Sequence, residues 1–241
     1  MKDYAIIYDN RLKALAVSLS RLSEAPAFPY TADVTFDRYM VLWSYRNSYA
    51  SERSRLKRVL DNLSAQGYVE VVTLLPAPYQ KEPDLNSFLN EMIIFDNVGR
   101  IIFFDLTPVN KLGVTPRPSV NLSAIPILIK YLKENDVKVK AITFNAEMQT
   151  QTRIIENMAG RSENNVLIVD NFVDDVEKYI PVLETYKEKG TNVYIFATFF
   201  ASSPYTLKNL ATVITTNAIP WDDAITLDIS GAIAEFVDAI K

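Results

Sequence analysis

Short apolar runs recur along the chain, and segments with helical spacing separate most of them. The runs are rich in β-branched and aromatic residues. Most are apolar on both faces, which is typical of parallel strands covered by helices. The predicted strands span 4–8, 39–45, 69–75, 100–106, 139–144, 165–170, 192–199, 211–216 and 224–228. This alternation of strands and helices predicts an α/β fold with mainly parallel sheets.

The segments between the runs carry the end signals of helices. Asn121 and Asp174 are suitable N-caps, and Asp174 with Glu177 has the spacing of a capping box. Gly67 and Gly190 are expected to end the helices that precede them. The predicted helices span 50–66, 121–135, 147–158, 174–190 and 230–241.

The number of strands fits two doubly wound sheets better than one. A Pro-rich stretch is the expected boundary, because Pro116 and Pro118 interrupt both helix and strand. We therefore predict an N-terminal domain of residues 1–118 and a C-terminal domain of residues 119–228. The last helix, within 229–241, is expected to pack back on the N-terminal domain.

The composition excludes several classes of function. The chain has 241 residues, 49% apolar, with a formal charge of −4, which offers no bulk attraction to nucleic acid or anionic lipid. It has no Cys and no His, so thiolate chemistry, His ligands and His general bases are excluded. The apolar stretches are too short to span a bilayer, and no signal peptide follows Met1. We expect a cytoplasmic protein that binds neither nucleic acid nor membrane.

Glycine-rich phosphate loops are not expected, because the chain has only six glycines and no Gly-x-Gly-x-x-Gly or Walker-type motif. The basic run RSRLKR at 53–58 is expected to form a solvated helix face, with a phosphate-binding patch as the alternative.

One long stretch, 100–132, combines a strand that ends in Asp-Leu-Thr at 105–107 with an Asn-Leu-Ser-Ala helix start at 121–124. Further stretches with a matching order are 59–84, 165–175 and 191–240. Together they resemble the ribose-phosphate pyrophosphokinases, which synthesise phosphoribosyl pyrophosphate (PRPP). The resemblance implies two tandem doubly wound domains of the phosphoribosyltransferase type with mainly parallel sheets. It also implies assembly as a dimer or a larger homo-oligomer.

The resemblance places a degenerate ribose-phosphate loop after the strand at 165–170. The family has two acidic residues there, followed by small and Gly-Thr residues. In this chain Asp170 keeps the first acidic place, Asn171 replaces the second, and Asp174 and Asp175 follow without a glycine. Because glycine lets the backbone approach phosphate, we expect these residues to be the remains of a ligand site. The alternative is that Asp174 only caps a helix in a solvated acidic turn.

Two further candidate residues come from the same resemblance. Asp105 ends a strand and is a candidate ligand for hydrated Mg²⁺, although Thr107 replaces the family's His. Asp84 is the remnant of the family's nucleotide loop, in which Glu82 and Leu85 stand where two Arg would bind phosphate. The alternatives are a loop cap for Asp105 and a structural role for the nucleotide loop.

The resemblance also implies a strand and a mobile catalytic loop before the ribose-phosphate loop. Here the helix at 147–158 leads almost directly to the next strand, with Arg153 and Arg161 as the basic residues nearby. Pyrophosphoryl transfer depends on positioning and on electrostatic stabilisation, so losing these parts is expected to abolish it.

We therefore predict a pseudoenzyme: a non-catalytic PRPP synthase-like protein with a structural or regulatory role. It would act through self-assembly or by association with a catalytic PRPP synthase, and no cofactor is firmly implied. The alternative is a divergent Mg²⁺-dependent enzyme or binding module for a nucleotide or sugar phosphate. If the chain is an enzyme, we expect a ribose-phosphate diphosphokinase-like transferase of nucleotide biosynthesis.

Overall fold

The chain divides into two compact units. The computed structural model describes residues 4–44, 49–74, 98–105, 118–201 and 203–238. Unit 1 comprises Met1–Leu122 with Ser230–Lys241, and unit 2 comprises Ser123–Ile229. The sequence placed the division after residue 118. Residues 119–122 fall in unit 1 because they form its edge strand.

Unit 1 is built on a parallel sheet whose described strands follow the order β2-β1-β3-β4-β5-β6. The chain winds from β1 outwards to β2 and then returns to the other side of β1, so the winding direction switches between β1 and β3. The elements are β1 (Tyr4–Tyr8), α1 (Lys13–Ser23), β2 (Ala27–Pro29), β3 (Arg38–Ser44), α2 (Tyr49–Ser64), β4 (Tyr68–Leu74), β5 (Val98–Phe104) and β6 (Ser119–Leu122).

One face of this sheet packs against α2. Tyr39, Val41 and Trp43 alternate along β3 and are all buried against Leu56 and Leu60 of the helix. These side chains share one face because successive residues of a strand point to opposite sides of the sheet. The residues between them in β3 are buried too, which explains why 39–43 are all apolar or aromatic.

Unit 2 is a second parallel sheet, and its described strands are wound in sequence order, β11-β10-β9-β8-β7. Its core places Ile195 and Phe200 of the central strand against Tyr179 and Leu183. The elements are α3 (Ile125–Glu134), β7 (Lys140–Ile142), α4 (Gln149–Ala159), β8 (Asn165–Val173), α5 (Ile180–Glu188), β9 (Asn192–Phe200), β10 (Thr212–Thr216) and β11 (Ile225–Leu227).

The last helix, α6 (Ser230–Asp238), belongs to unit 1, where it contacts α1. Among the described residues, no helix is long and apolar enough to cross a membrane.

One predicted helix start is wrong, and one predicted helix end has a different physical cause. Asn121 does not cap α3, because it lies in β6; the Ile125 N–H instead donates to Ser123 Oγ at 3.2 Å. Gly67 ends α2 without a left-handed backbone, and its role is close approach: a Cβ there would lie 2.4 Å from the Asp37 carbonyl oxygen. Gly190 does take the left-handed conformation after α5, with a φ of 72°.

Candidate functional site

The segment predicted as a ribose-phosphate turn is strand in its first half. β8 continues to Val173 and pairs with β9, with Asp170 opposite Ala197 and Val173 opposite Phe200. The Ala201 N–H then donates to the Val173 carbonyl at 2.8 Å. A phosphate cradle needs successive backbone N–H groups that converge on one point. A backbone in a strand ladder points them alternately to either side instead.

Asp170 is buried in this ladder, with 8% of its surface exposed. The Tyr179 hydroxyl donates to its Oδ2 at 2.7 Å, and the Asn171 N–H donates to its Oδ1 at 2.8 Å. Burial of Tyr179 and the negative charge of Asp170 raise the pKa of the Tyr179 phenol far above its ordinary value. Tyr179 therefore stays a neutral donor, and both oxygens of Asp170 are satisfied within unit 2.

The acidic turn after β8 is also internally bonded. Asp174 accepts from the Lys178 ammonium at 2.7 Å and from the Asp175 N–H at 2.8 Å. The Lys178 hydrogen bond lowers the pKa of Asp174. Asp175 Oδ1 accepts from the Glu177 N–H at 2.9 Å. Asp175, rather than the predicted Asp174, thus bonds to the first N–H of the short 3-10 turn that leads into α5.

The connection before β8 is short. α4 ends at Ala159 and β8 begins at Asn165, so residues 160–164 alone join them. Within this turn Arg161 pairs with Glu163 at 2.9 Å, and Glu156 lies 3.8 Å from the same guanidinium. A connection of this length is a tight turn, without a further strand or a long loop.

Asp105 lies at the carboxyl end of β5 in unit 1 and is 7% exposed. Its φ of 49° is left-handed, which is uncommon for a residue with a side chain, although Asp tolerates it better than most. The Asp105 N–H donates to the Leu122 carbonyl at 2.8 Å, which extends the pairing of β5 with β6 by one residue. The other predicted residues of unit 1, Thr107 and Asp84, lie outside the described residues.

Mg²⁺ is expected only under the alternative function, and the described residues near β8 offer no cluster of ligands for it. No group of three or more acidic side chains that could hold a metal ion occurs among the described residues. At β8 the carboxylate of Asp170 faces a hydroxyl donor, and that of Asp174 faces an ammonium. These carboxylates fit a hydrogen-bonded strand end better than a metal centre.

A feature that the sequence did not predict lies in unit 1. A cavity of about 340 Å³ runs between α2 and the segment 30–34, which follows β2. Arg55 and Arg58, from the run predicted to be a solvated face, line it together with apolar side chains. The lining residues are Ile7, Tyr30, Ala32, Asp33, Val34, Arg55, Arg58, Val59, Asn62, Leu63 and Gln66.

Arg55 connects this cavity to a buried carboxylate at the end of β1. Asp9 is 1% exposed and accepts from Arg55 Nη2 at 3.2 Å and from Arg11 Nε at 2.6 Å. Arg55 also donates to the Tyr30 hydroxyl at 3.1 Å, and its guanidinium lies over the rings of Tyr30 and Trp43, 5.1 and 5.6 Å from their centroids. This side chain is therefore held in one orientation.

No protein-family model matches this chain, and no curated protein sequence matches it. The chain is similar in structure to a phosphoribosylpyrophosphate synthetase from Mycobacterium smegmatis, known from a crystal structure. The TM-score is 0.80 at 16% sequence identity, and the match covers 99% of each chain. A likeness at this identity shows the fold alone. The predicted fold class is confirmed: this chain has the α/β fold of a PRPP synthetase, with two phosphoribosyltransferase-type units and mainly parallel sheets.

Proposed function

We propose that this protein is a non-catalytic PRPP synthetase-like protein with a structural or regulatory role. It acts through self-assembly or through association with a catalytic relative. The observation that carries the proposal is the course of β8, which stays paired with β9 as far as Val173. The first half of the segment that corresponds to a phosphate-binding turn therefore forms part of the sheet.

The charges around β8 support the same proposal. Pyrophosphoryl transfer requires cationic groups that face the phosphates and stabilise the charge that develops on them. Lys178 is engaged by Asp174, and Arg161 is engaged by Glu163. Both of these basic side chains thus already have an acidic partner in unit 2.

The proposal is tested by measuring AMP formation from ATP and ribose 5-phosphate with Mg²⁺. We expect no AMP above the rate without protein, whereas a catalytic PRPP synthetase assayed in parallel supplies the positive control. A rate well above background that Asp170→Ala abolishes would overturn the proposal. Size-exclusion chromatography with light scattering then measures the oligomeric state of the protein. We expect a dimer or larger, or a monomer that forms a complex with the catalytic relative when the two are mixed.

A second candidate function is Mg²⁺-dependent binding of a nucleotide or sugar phosphate, and the left-handed backbone of Asp105 favours it. Buried residues in strained conformations at strand ends are frequent in ligand sites. A ligand that binds only the folded state raises the melting temperature. This candidate predicts a rise with ATP and Mg²⁺ that Asp105→Asn removes. An unchanged melting temperature with saturating ATP and ribose 5-phosphate rejects it.

A further inference from the structure

We propose that unit 1 binds a small organic anion in the cavity between α2 and the segment 30–34. The ligand is an anionic group, a phosphate monoester or a carboxylate, carried on an apolar body of about the size of a benzene ring. This inference goes beyond the proposed function and does not depend on it, because the cavity and β8 belong to different units.

The position of the cavity relative to the sheet is the first argument. In open α/β sheets, ligands bind in the crevice outside the carboxyl ends of the strands, where the winding direction switches. In unit 1 this switch lies between β1 and β3. Asp9 follows β1 directly, and its N–H donates to Leu42 of β3 at 3.1 Å. Asp9 in turn holds Arg55, so the Arg55 end of the cavity is anchored at the switch point, whereas its other end, at Gln66, lies near the start of β3.

The two arginines of the lining are the second argument. Arg55 is fixed by Asp9, by the Tyr30 hydroxyl and by two aromatic rings, so little side-chain entropy is lost when it meets a ligand. Arg58 lies one helical turn further along α2 and is exposed. It makes no ion pair with any described residue, and Asp33 is the one acid among the described lining residues.

The remaining lining defines the body of the ligand. Ile7, Val34, Val59 and Leu63 supply apolar lining atoms, and Tyr30, Asn62 and Gln66 add polar ones. Ligand pockets for small molecules typically measure about 300–1,000 Å³, so a cavity of about 340 Å³ takes a small ligand. An inorganic ion would leave the apolar surface uncovered, and a neutral apolar molecule would leave Arg58 unpaired. The combination therefore favours an anion with an apolar body.

Phenyl phosphate is the probe that tests this inference. Isothermal titration calorimetry is expected to give a Kd on the order of 0.1 mM, with phenol and inorganic phosphate each at least about tenfold weaker. Benzoate in a parallel titration distinguishes the anions: tighter binding of benzoate assigns a carboxylate ligand, and tighter binding of phenyl phosphate assigns a phosphate monoester. Trp43, which lies against Arg55, reports binding at this place by fluorescence in a Trp221→Phe background.

Three variants make the test specific to the cavity. Arg58→Gln is expected to weaken phenyl phosphate binding about tenfold, because it removes the unpaired cation. Lys57→Gln is the matched control, because it makes the same charge change on the residue before Arg58 in α2. Lys57 pairs with Asp61 at 3.3 Å and does not line the cavity. Asp33→Asn is expected to tighten binding about twofold, because it removes a nearby negative charge from the rim.

The inference is overturned by either of two results. One is the absence of heat and of a Trp43 signal with phenyl phosphate and benzoate at about 10 mM, a hundred times the expected Kd. The other is an equal loss of affinity in Arg58→Gln and Lys57→Gln, since this would place binding on the general charge of α2. Circular dichroism confirms that all three variants are folded before they are compared.

Discussion

Three described aspartates are buried at or near the carboxyl ends of parallel strands, and two of them, Asp9 and Asp170, have different surroundings. Asp9, after β1 in unit 1, accepts hydrogen bonds from two guanidinium groups, and one of these reaches a cavity. Asp170, in β8 of unit 2, accepts from the neutral hydroxyl of Tyr179 and from a backbone N–H. The Tyr179 side chain is fully buried in the core of that unit.

The difference shows that a carboxylate at a strand end is not by itself a sign of a ligand site. Its donors decide what it does. A neutral donor inside the core completes a closed network. A cationic donor held by the carboxylate at a cavity wall instead presents positive charge to whatever enters. The family resemblance predicts a ligand site at β8, whereas the contacts in the structure favour one near the end of β1.

The largest effect is expected from Gly67→Ala. This change disturbs unit 1, which contains Asp9 and the cavity. A Cβ at this position would lie 2.4 Å from the Asp37 carbonyl and would push α2 away from the segment that precedes β3. We expect a loss of about 2–4 kcal/mol in the free energy of unfolding, measured by urea denaturation.

Gly231→Ala is the control for this change, because a Cβ there meets nothing within 4 Å. We expect it to be neutral or to stabilise α6 by up to about 1 kcal/mol. Equal stability of the two variants would show that the close approach at Gly67 is absent in solution.

Replacing each aspartate by asparagine compares the two strand ends directly. Asp9→Asn leaves two guanidiniums without their shared buried carboxylate, and we expect a loss of about 2 kcal/mol in the free energy of unfolding. Asp170→Asn keeps an oxygen that accepts from the Tyr179 hydroxyl, so the expected loss is about 1 kcal/mol. Urea denaturation measures the loss in the free energy of unfolding for each variant. A larger loss for Asp170→Asn than for Asp9→Asn would contradict the comparison.

The pH dependence of Tyr179→Phe tests the hydrogen bond between Tyr179 and Asp170 of β8. The pKa of Tyr179 is raised in the folded state, so its contribution to stability is complete below the unfolded-state pKa of 10.0 and is lost as pH rises above it. We expect Tyr179→Phe to cost about 1 kcal/mol at neutral pH, and this difference to shrink above about pH 10. Urea denaturation of both proteins across this range measures it; a constant difference would show that Tyr179 ionises equally in both states.

The smallest effect is expected at the exposed pair after β8. Lys178→Gln removes the hydrogen bond that lowers the pKa of Asp174, so this pKa should return towards its ordinary value. The cost in stability is below about 0.5 kcal/mol at neutral pH, and it disappears as acid protonates Asp174. An NMR titration of the Asp174 carboxyl measures the shift. Lys57→Gln, which breaks a pair of the same spacing, should leave Asp174 unchanged.

The sequence predicted the buried strands of both sheets well, because continuous apolar runs of five or more residues leave few alternatives. β1 was predicted with its bounds, and β3, β4 and β9 to within one residue at each end. The last three residues of β8, 171–173, were missed. Asp170 and Asn171 are not strand-forming residues, and they join the strand because β9 offers a partner and Tyr179 satisfies the carboxylate.

Three elements of unit 1 were also absent from the prediction: α1, β2 and β6. The two strands are short edge strands that each pair with a single neighbour, and their side chains are only half-buried. Such strands carry a weak hydrophobic pattern, because only one side of the backbone is held by the sheet. Their existence depends on a neighbouring strand that is distant in sequence.

The sequence by itself determined the α/β class, the number of sheets and the exclusion of His and Cys chemistry, because these follow from composition and from local periodicity. The partners of the polar side chains were decided by tertiary structure alone. Arg55 meets Asp9 across 46 residues, and Tyr179 reaches Asp170 only because the 3-10 turn before α5 packs against β8. Periodicity describes which face of an element is buried, but a hydrogen bond forms only between particular atoms that the fold brings within about 3 Å.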